Sequence, residues 1–334
     1  MLKKAGITTR KKVQNGINRI YRLYKKTESQ LLLQKAKRDF PNLTGINKPF
    51  FIIGVPGSLC VSDICFRFIP PDQPIVFVDN GLSKWESNWA MDHFKANGIV
   101  SLDRTYNHST ILDFLFDNYP SPFGILDFDC LVLNPSLFTQ LRQIEPNTMI
   151  NSVFLQRFRN MNVPETFILF LNTPVINNVR QKYGVTTDVI SIDKLSSKVL
   201  LSLLTLGFNE ENFRYEDNKI ENYFDTMRLV YFLGLAEGYE CKFLRQYPLD
   251  LQTYDEIFHI GAGHKTWSLN TIWNTRGTYF WRRSLESCKY PDLQHHYWSK
   301  YGNMSSDDVL TSAPDFCEKI GPEFFSFIEE ILLR

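Results

Sequence analysis

Four short apolar runs constrain this chain most: Pro49–Val55 (PFFIIGV), Ile75–Val78 (IVFV), Ile99–Leu102 (IVSL) and Phe123–Leu126 (FGIL). Each is too short for a typical helix. None alternates apolar with polar, so each reads as a strand covered on both faces. The segments between them read as helices over residues 58–68, 83–97 and 108–118. Ser83 supplies an N-cap and Gly98 a helix end, and Pro70-Pro71-Asp72 breaks the chain before the second strand. Strand and helix in strict alternation give a parallel sheet with helices on both faces, an α/β fold. In such sheets ligands bind beyond the carboxyl ends of the strands. Three turns fall on that edge: Gly54–Ser58, Asp79–Ser83 and Asp127–Asp129.

The third turn carries the most chemistry. The fourth strand ends on Asp127-Phe128-Asp129, followed by apolar Leu131-Val132-Leu133 and then Asn134-Pro135. Strand pleating is expected to put Asp127 and Asp129 on one face and Phe128 on the other. Two adjacent carboxylates repel unless a cation lies between them, and a hard divalent ion that also holds phosphates is the usual reason for such a pair. Two solvated acids in a turn are the plainer alternative. A second constellation runs from His259 to Trp267 (HIGAGHKTW), where a strand at 257–261 enters a Gly-rich turn.

A buried strand, D-x-D, a second apolar triplet, Asn-Pro and a helix start resemble the D-x-D segment of nucleotide-sugar glycosyltransferases of the GT-A fold. Within that fold the family-8, glycogenin-like pattern is the nearest. The stretch at His259 resembles the same family's H-x-x-G-x-x-K-P-W motif, with Ala262 in place of Gly and Thr266 in place of Pro. The resemblance implies a mostly parallel Rossmann-like sheet and Mn²⁺ or Mg²⁺ held by Asp127, Asp129 and His259, with His264 a competing ligand. It also implies that Asp127 and Lys265 meet the diphosphate of a nucleotide-sugar donor. Asp79, in the second-strand turn, would contact base or ribose. Asn107 would cap the helix at 108 or reach the base. Gly54-Val55-Pro56-Gly57 resembles the base-binding wall, which a Pro-Gly turn alone also explains.

The acceptor side is read from Glu221 and Asp225, one turn apart on a helix expected over 220–236. They resemble either the acidic base of inverting family-2 enzymes or the D-Q-D stretch of family 8. Acids favoured at a helix N-terminus explain them equally well. The acceptor implied is a saccharide or a lipid-linked sugar.

Charge divides the chain. Residues 1–38 hold twelve Lys/Arg and one acid, Glu28, whereas the remainder has 25 bases and 35 acids, a net −10. An acidic body argues against a nucleic-acid partner. Within the basic arm, Val13, Ile17, Ile20, Tyr24, Thr27 and Leu31 line one helical face, opposite Lys11, Lys12, Arg19, Arg22, Lys25 and Lys26. Such a helix either lies on an anionic membrane or packs its apolar stripe on the body. Six scattered cysteines, no signal-like apolar core and no run long enough to span a bilayer point to the cytoplasm, with peripheral attachment to the inner membrane face as an extension. The expected division is an arm at 1–46, a catalytic domain at 47–270 and a helical extension at 271–334.

The function expected is metal-dependent transfer of a hexosyl group from a nucleotide-diphosphate sugar. A sugar-nucleotidyltransferase is one rival, but it would be expected to carry a basic Gly-rich loop after the first strand, and GVPGSLCVSD has no base. A non-catalytic membrane-surface scaffold on the same fold is the other.

Overall fold

The computed structural model describes residues 43, 45–158, 161–208, 223–247, 255–261, 269–302 and 304–334. The amphipathic arm, Glu221, His264 and Lys265 lie outside the described residues. The first half alternates as the sequence implies: β1 (Phe50–Gly54), α1 (Leu59–Arg67), β2 (Ile75–Asn80), α2 (Lys84–His93), β3 (Gly98–Leu102), α3 (His108–Asn118) and β4 (Phe123–Asp127). Then come β5 (Cys130–Val132), α4 (Ser136–Arg142), β6 (Thr148–Ser152), β7 (Leu155–Phe158), β8 (Met161–Pro164), β9 (Ile168–Leu171) and α5 (Thr173–Tyr183). They are followed by β10 (Ile190–Ser191), α6 (Ser197–Thr205), β11 (Tyr223–Phe224), α7 (Arg228–Ala236), β12 (Glu240–Phe243) and β13 (Ile257–His259). Helices α8 (Ile272–Glu286), α9 (Pro291–Tyr301), α10 (Ser306–Ser312), α11 (Pro314–Ile320) and α12 (Pro322–Leu333) complete the chain.

Seven strands form one sheet in the order β12-β6-β9-β4-β1-β2-β3. Neighbours are parallel except at β9, which runs against both β4 and β6. This is the mostly parallel α/β sheet expected. Strand β1 is buried along its whole length, with Phe50 and Ile52 facing one core and Phe51 and Ile53 the other. That double burial is why its sequence is continuously apolar rather than alternating. Registers Ile53↔Asp127 and Gly54↔Asp79 bring the ends of β1, β2 and β4 to a common edge.

The C-terminal helices belong to the first core. Phe280, Trp281, Tyr297 and Ile328 cluster there with Phe50, Leu59 and Leu126. Trp281 Nε1 donates to Gly57 O at 2.6 Å, and the Leu59 N–H donates to Tyr297 Oη at 3.2 Å. Glu86 on α2, wholly buried, accepts from the Gly57 N–H (2.8 Å), Tyr297 Oη (3.0 Å) and the Ser83 N–H (3.0 Å). With Ser83 it completes the capping box that starts α2. Burial alone would raise the Glu86 carboxyl, but these bonds and Lys300 hold it below the usual carboxylate range. The turn after β1 is therefore clamped from two helices that lie far away in sequence.

Two helical expectations change. The helix over 83–97 stops at His93, because Asn97 instead splices onto β2: its N–H donates to Ile75 O (2.7 Å) and its Oδ1 accepts from the Ile75 N–H (2.8 Å). Gly98 then opens β3 rather than closing a helix. Nor do the described residues continue a helix through 223–227. Tyr223-Phe224 pairs with Ile190-Ser191, and Met227 takes a left-handed φ of 67° before α7 begins at Arg228. Among the described residues no helix is long and apolar enough to cross a membrane.

Candidate active site

The Asp127-Phe128-Asp129 segment is not a through-going strand. Strand β4 ends at Asp127, residues 128 and 129 turn, and β5 begins at Cys130. The carboxylates converge because of that turn, not through pleat alternation. Strand β5 then pairs antiparallel with β13 in the register His259↔Cys130, and the Ile260 N–H donates to Asp129 O at 3.1 Å. This pairing carries His259 across more than a hundred residues of sequence to the turn. Its Nε2 lies 3.6 Å from Asp129 Oδ1 and 3.8 Å from Asp127 Oδ2. One ligand atom from each of the three residues falls within 4.8 Å of the others.

Phe167 fixes this arrangement from below. Its ring stacks on the His259 imidazole at 4.4 Å and 24°, and its carbonyl accepts the Asp127 N–H at 2.8 Å. Asp129 is 4% exposed. Burial and the Asp129 charge both push the Asp127 carboxyl upward, opposed by His259. Burial pulls His259 down, yet Asp129, Asp127 and Glu165 together carry it above its ordinary value. Such a site favours a shared proton or a bound cation over two bare carboxylates.

Gly261, two residues past His259, has φ 66°, and a Cβ there would fall 1.7 Å from the Trp273 ring. The glycine thus admits the half-exposed Trp273 indole, whose centroid is 5.8 Å from that of His259.

The other expected residues are distributed around this centre. Asp79 is 3% exposed and is engaged in its own turn, accepting the Leu82 N–H at 2.8 Å and a hydrogen bond from Ser87 Oγ. Burial raises its carboxyl despite those bonds. Asn107 stands at the N-cap position of α3, exposed, without a side-chain capping bond. Asp225 is exposed and does not join the three-residue cluster. It shares the wall of a cavity of about 180 Å³ with His108, Ile125, Thr166, Thr226 and Met227. Because α7 starts at Arg228, Asp225 does not sit on a helical face as expected.

Sequence reading missed three residues here: Phe167, His108 and Glu165. Glu165 was detectable, as the one acid in the run from Val163 to Leu171. It is 7% exposed, and among the described residues its buried Oε1 has no hydrogen-bond partner. Burial pushes its carboxyl up to about 7, against the pull of His259 and Arg228.

Residues 27–176 match the family described as the StrH glycosyltransferase N-terminal domain. That span holds β1 to β9 and the Asp127-Phe128-Asp129 turn. No curated protein matches the chain at a significant level. Similar solved structures include the apo bifunctional glycosyltransferase WbbM, at 13% identity and TM-score 0.37, covering 75% of this chain and 51% of that one. The apo glycosyltransferase GlyE of Streptococcus pneumoniae TIGR4 aligns at 13% identity and TM-score 0.40, covering 76% of this chain and 64% of that one. A third is the mannosyltransferase PcManGT of Pyrobaculum calidifontis, solved with GDP-Man and Mn²⁺, at 11% identity and TM-score 0.36, covering 91% and 92%. The chain thus spans about half to two thirds of the length of the first two. The likeness to the StrH glycosyltransferase N-terminal domain family therefore lies in the part of the chain that builds β1 to β9, on a mostly parallel α/β sheet.

Proposed function

We propose that this protein transfers a sugar from a nucleoside-diphosphate donor to a hydroxyl of a saccharide or lipid-linked acceptor, with Mn²⁺ or Mg²⁺ held by Asp127, Asp129 and His259. The observation that carries this reading is the convergence of those three side chains at the carboxyl edge of the sheet. Two carboxylate oxygens and one imidazole nitrogen suit a hard or borderline divalent ion, and the upward-pushed Asp127 fits a pair waiting for positive charge. When bound, the ion would neutralise charge developing on the departing diphosphate.

The chain's own residues do the rest. Asp127, Asp129 and His259 orient the diphosphate, and Phe167 keeps the imidazole and the Asp127 backbone in place. Lys265 adds a point charge on the same oxygens. Asn107 and the Asp79 turn border the base and ribose. Asp225 offers a carboxylate to sugar hydroxyls from the cavity wall, with Glu221 as its companion on the acceptor side.

Thermal melting with UDP-glucose, UDP-N-acetylglucosamine, GDP-mannose and dTDP-glucose, each with and without Mn²⁺, tests the reading. A donor bound only by the native state raises its melting point. At least one is expected to do so with Mn²⁺ and none without. No shift under either condition overturns the reading. The pH dependence has a defined sign. A carboxyl raised in the folded state holds its proton there longer than in the unfolded chain, so stability of the metal-free protein falls as pH rises through that window. Protons and cation compete for Asp127, so the gain from Mn²⁺ alone should grow from about pH 5.5 to about pH 8.

A further inference from the structure

We propose that the cavity beside Asp127 seats the donor's sugar by a methyl group, so that the sugar transferred is a deoxyhexose or an N-acetylhexosamine rather than a plain hexose. The assignment rests on the sugar-transfer reading above. The cavity, of about 180 Å³, has two kinds of wall. Its mouth is polar, with Thr166 and Asp225 exposed and Thr226 half-buried. Among the described residues its floor is Leu112, Ile125, Leu169, Leu171 and Met227, all buried and none with a side-chain nitrogen or oxygen. An apolar cavity of about 150 Å³ holds a benzene-sized molecule, so this one admits one edge of a pyranose with a methyl group.

Its position suits the sugar next to the diphosphate. Ile125 and Asp127 are two residues apart on β4, so they face the same side of the sheet about 6.6 Å apart. Thr166, in the mouth, precedes Phe167, whose carbonyl accepts the Asp127 N–H and whose ring stacks on His259. The cavity thus begins one strand step from the Asp-Asp-His cluster. A sugar joined through C1 to a diphosphate held on that cluster has the cavity as its neighbour.

The floor offers a hydroxyl no partner. Ile125 pairs with Leu169, and β4 and β9 each have a strand on both edges, so their backbone amides are spent within the sheet. The Met227 N–H donates to Thr187 O, and its carbonyl accepts the Tyr231 N–H, both at 2.9 Å. Leu112 lies inside α3. Burial holds the His108 imidazole in the wall below its ordinary value, against the pull of Asp225, so it adds no charge at neutral pH. A hydroxyl pressed into this floor loses its water and gains nothing in return, whereas a methyl group is favoured there. At the mouth, Asp225 and the two threonines take the remaining sugar hydroxyls.

The test is titration calorimetry of the full-length protein with Mn²⁺, using donor pairs that share a nucleotide and differ at one group. The pairs are UDP-glucose with UDP-N-acetylglucosamine, dTDP-glucose with dTDP-6-deoxyglucose, and GDP-mannose with GDP-6-deoxymannose. In at least one pair the methyl-bearing member should bind at least about fivefold tighter, within the roughly hundredfold that an apolar pocket can impose. A preference in the first pair assigns the floor to an acetamido methyl, and one in the other pairs assigns it to a deoxy position. Leu112→Phe fills the floor, and Thr226→Phe closes the mouth. Each should bring the ratio below about twofold, while the nucleoside diphosphate alone binds within about twofold of wild type. Melting curves check that both variants fold, and where Leu112→Phe does not, Thr226→Phe on the rim decides. Wild-type ratios below about fivefold in all three pairs, beside nucleotide binding that needs Mn²⁺, overturn the pocket and not the transfer reading. A preference that survives in the folded variants also overturns the pocket. Wild type that binds no nucleotide overturns the transfer reading, and the pocket with it.

Discussion

Asp129→Ala is expected to lower sugar transfer by about a hundredfold to a thousandfold while leaving the protein folded. Asp129 is 4% exposed and faces His259 at 3.6 Å, so its removal takes one of three converging ligand groups from the site. The same change removes the charge that helps push the Asp127 carboxyl up. Relieved of that repulsion, the metal-free variant should melt no lower than wild type by more than a few degrees. Mn²⁺ should then no longer raise its melting point. Activity assays with the donor that stabilises wild type, read beside melting curves, check both halves. A loss of tenfold or less would remove Asp129 from the metal role.

Glu86→Ala is expected to cost stability rather than chemistry, by about 3–5 kcal/mol, the range for removing one partner from a buried charged network. The wholly buried carboxylate binds the Gly57 N–H, the Ser83 N–H and Tyr297 Oη at once. Without it, those donors are left inside the protein, and α2 loses its capping box. Lys300 is over a third exposed and contributes little to that cost. Trp281→Phe removes a single bond to the same turn, Nε1 to Gly57 O, and should cost about 1 kcal/mol from that bond. Denaturant melts of the two variants compare them directly. A Glu86→Ala loss no larger than that of Trp281→Phe would mean the turn after β1 is not held by this network.

How far the sequence reaches follows from which forces shape each segment. The parallel strands β1, β2 and β4 are legible because burial on both faces leaves nearly unbroken apolar runs, whereas β3 is an edge strand with Ser101 exposed, and not covered on both faces as its short run suggests. Strand β6 (TMINS) is not. It is buried along its length, yet half polar, and Asn151 is tolerated there because its Nδ2 donates to Leu141 O and Gln143 O. The start of α7 is hidden because Tyr223-Phe224 finds a strand partner at Ile190-Ser191, a tertiary preference that local periodicity does not carry. At the site, Asp127 and Asp129 announce themselves by adjacency. His259 is reached only through the resemblance of its surrounding motif, since the β5–β13 register that brings it to Cys130 is a long-range pairing. Glu165 shows in the sequence as the one acid in the run from Val163 to Leu171, but its burial is a tertiary property that the run does not carry.

In the proposed function, Asp127, Asp129 and His259 hold a divalent ion through which a nucleoside diphosphate binds. Titration calorimetry of UDP and GDP into the full-length protein, once with Mn²⁺ and once with excess EDTA, tests it most directly. One of the two nucleotides is expected to bind with Mn²⁺ and to lose at least about tenfold in affinity, roughly 1.4 kcal/mol, when EDTA removes the ion. Equal affinity with and without the metal would contradict the claim.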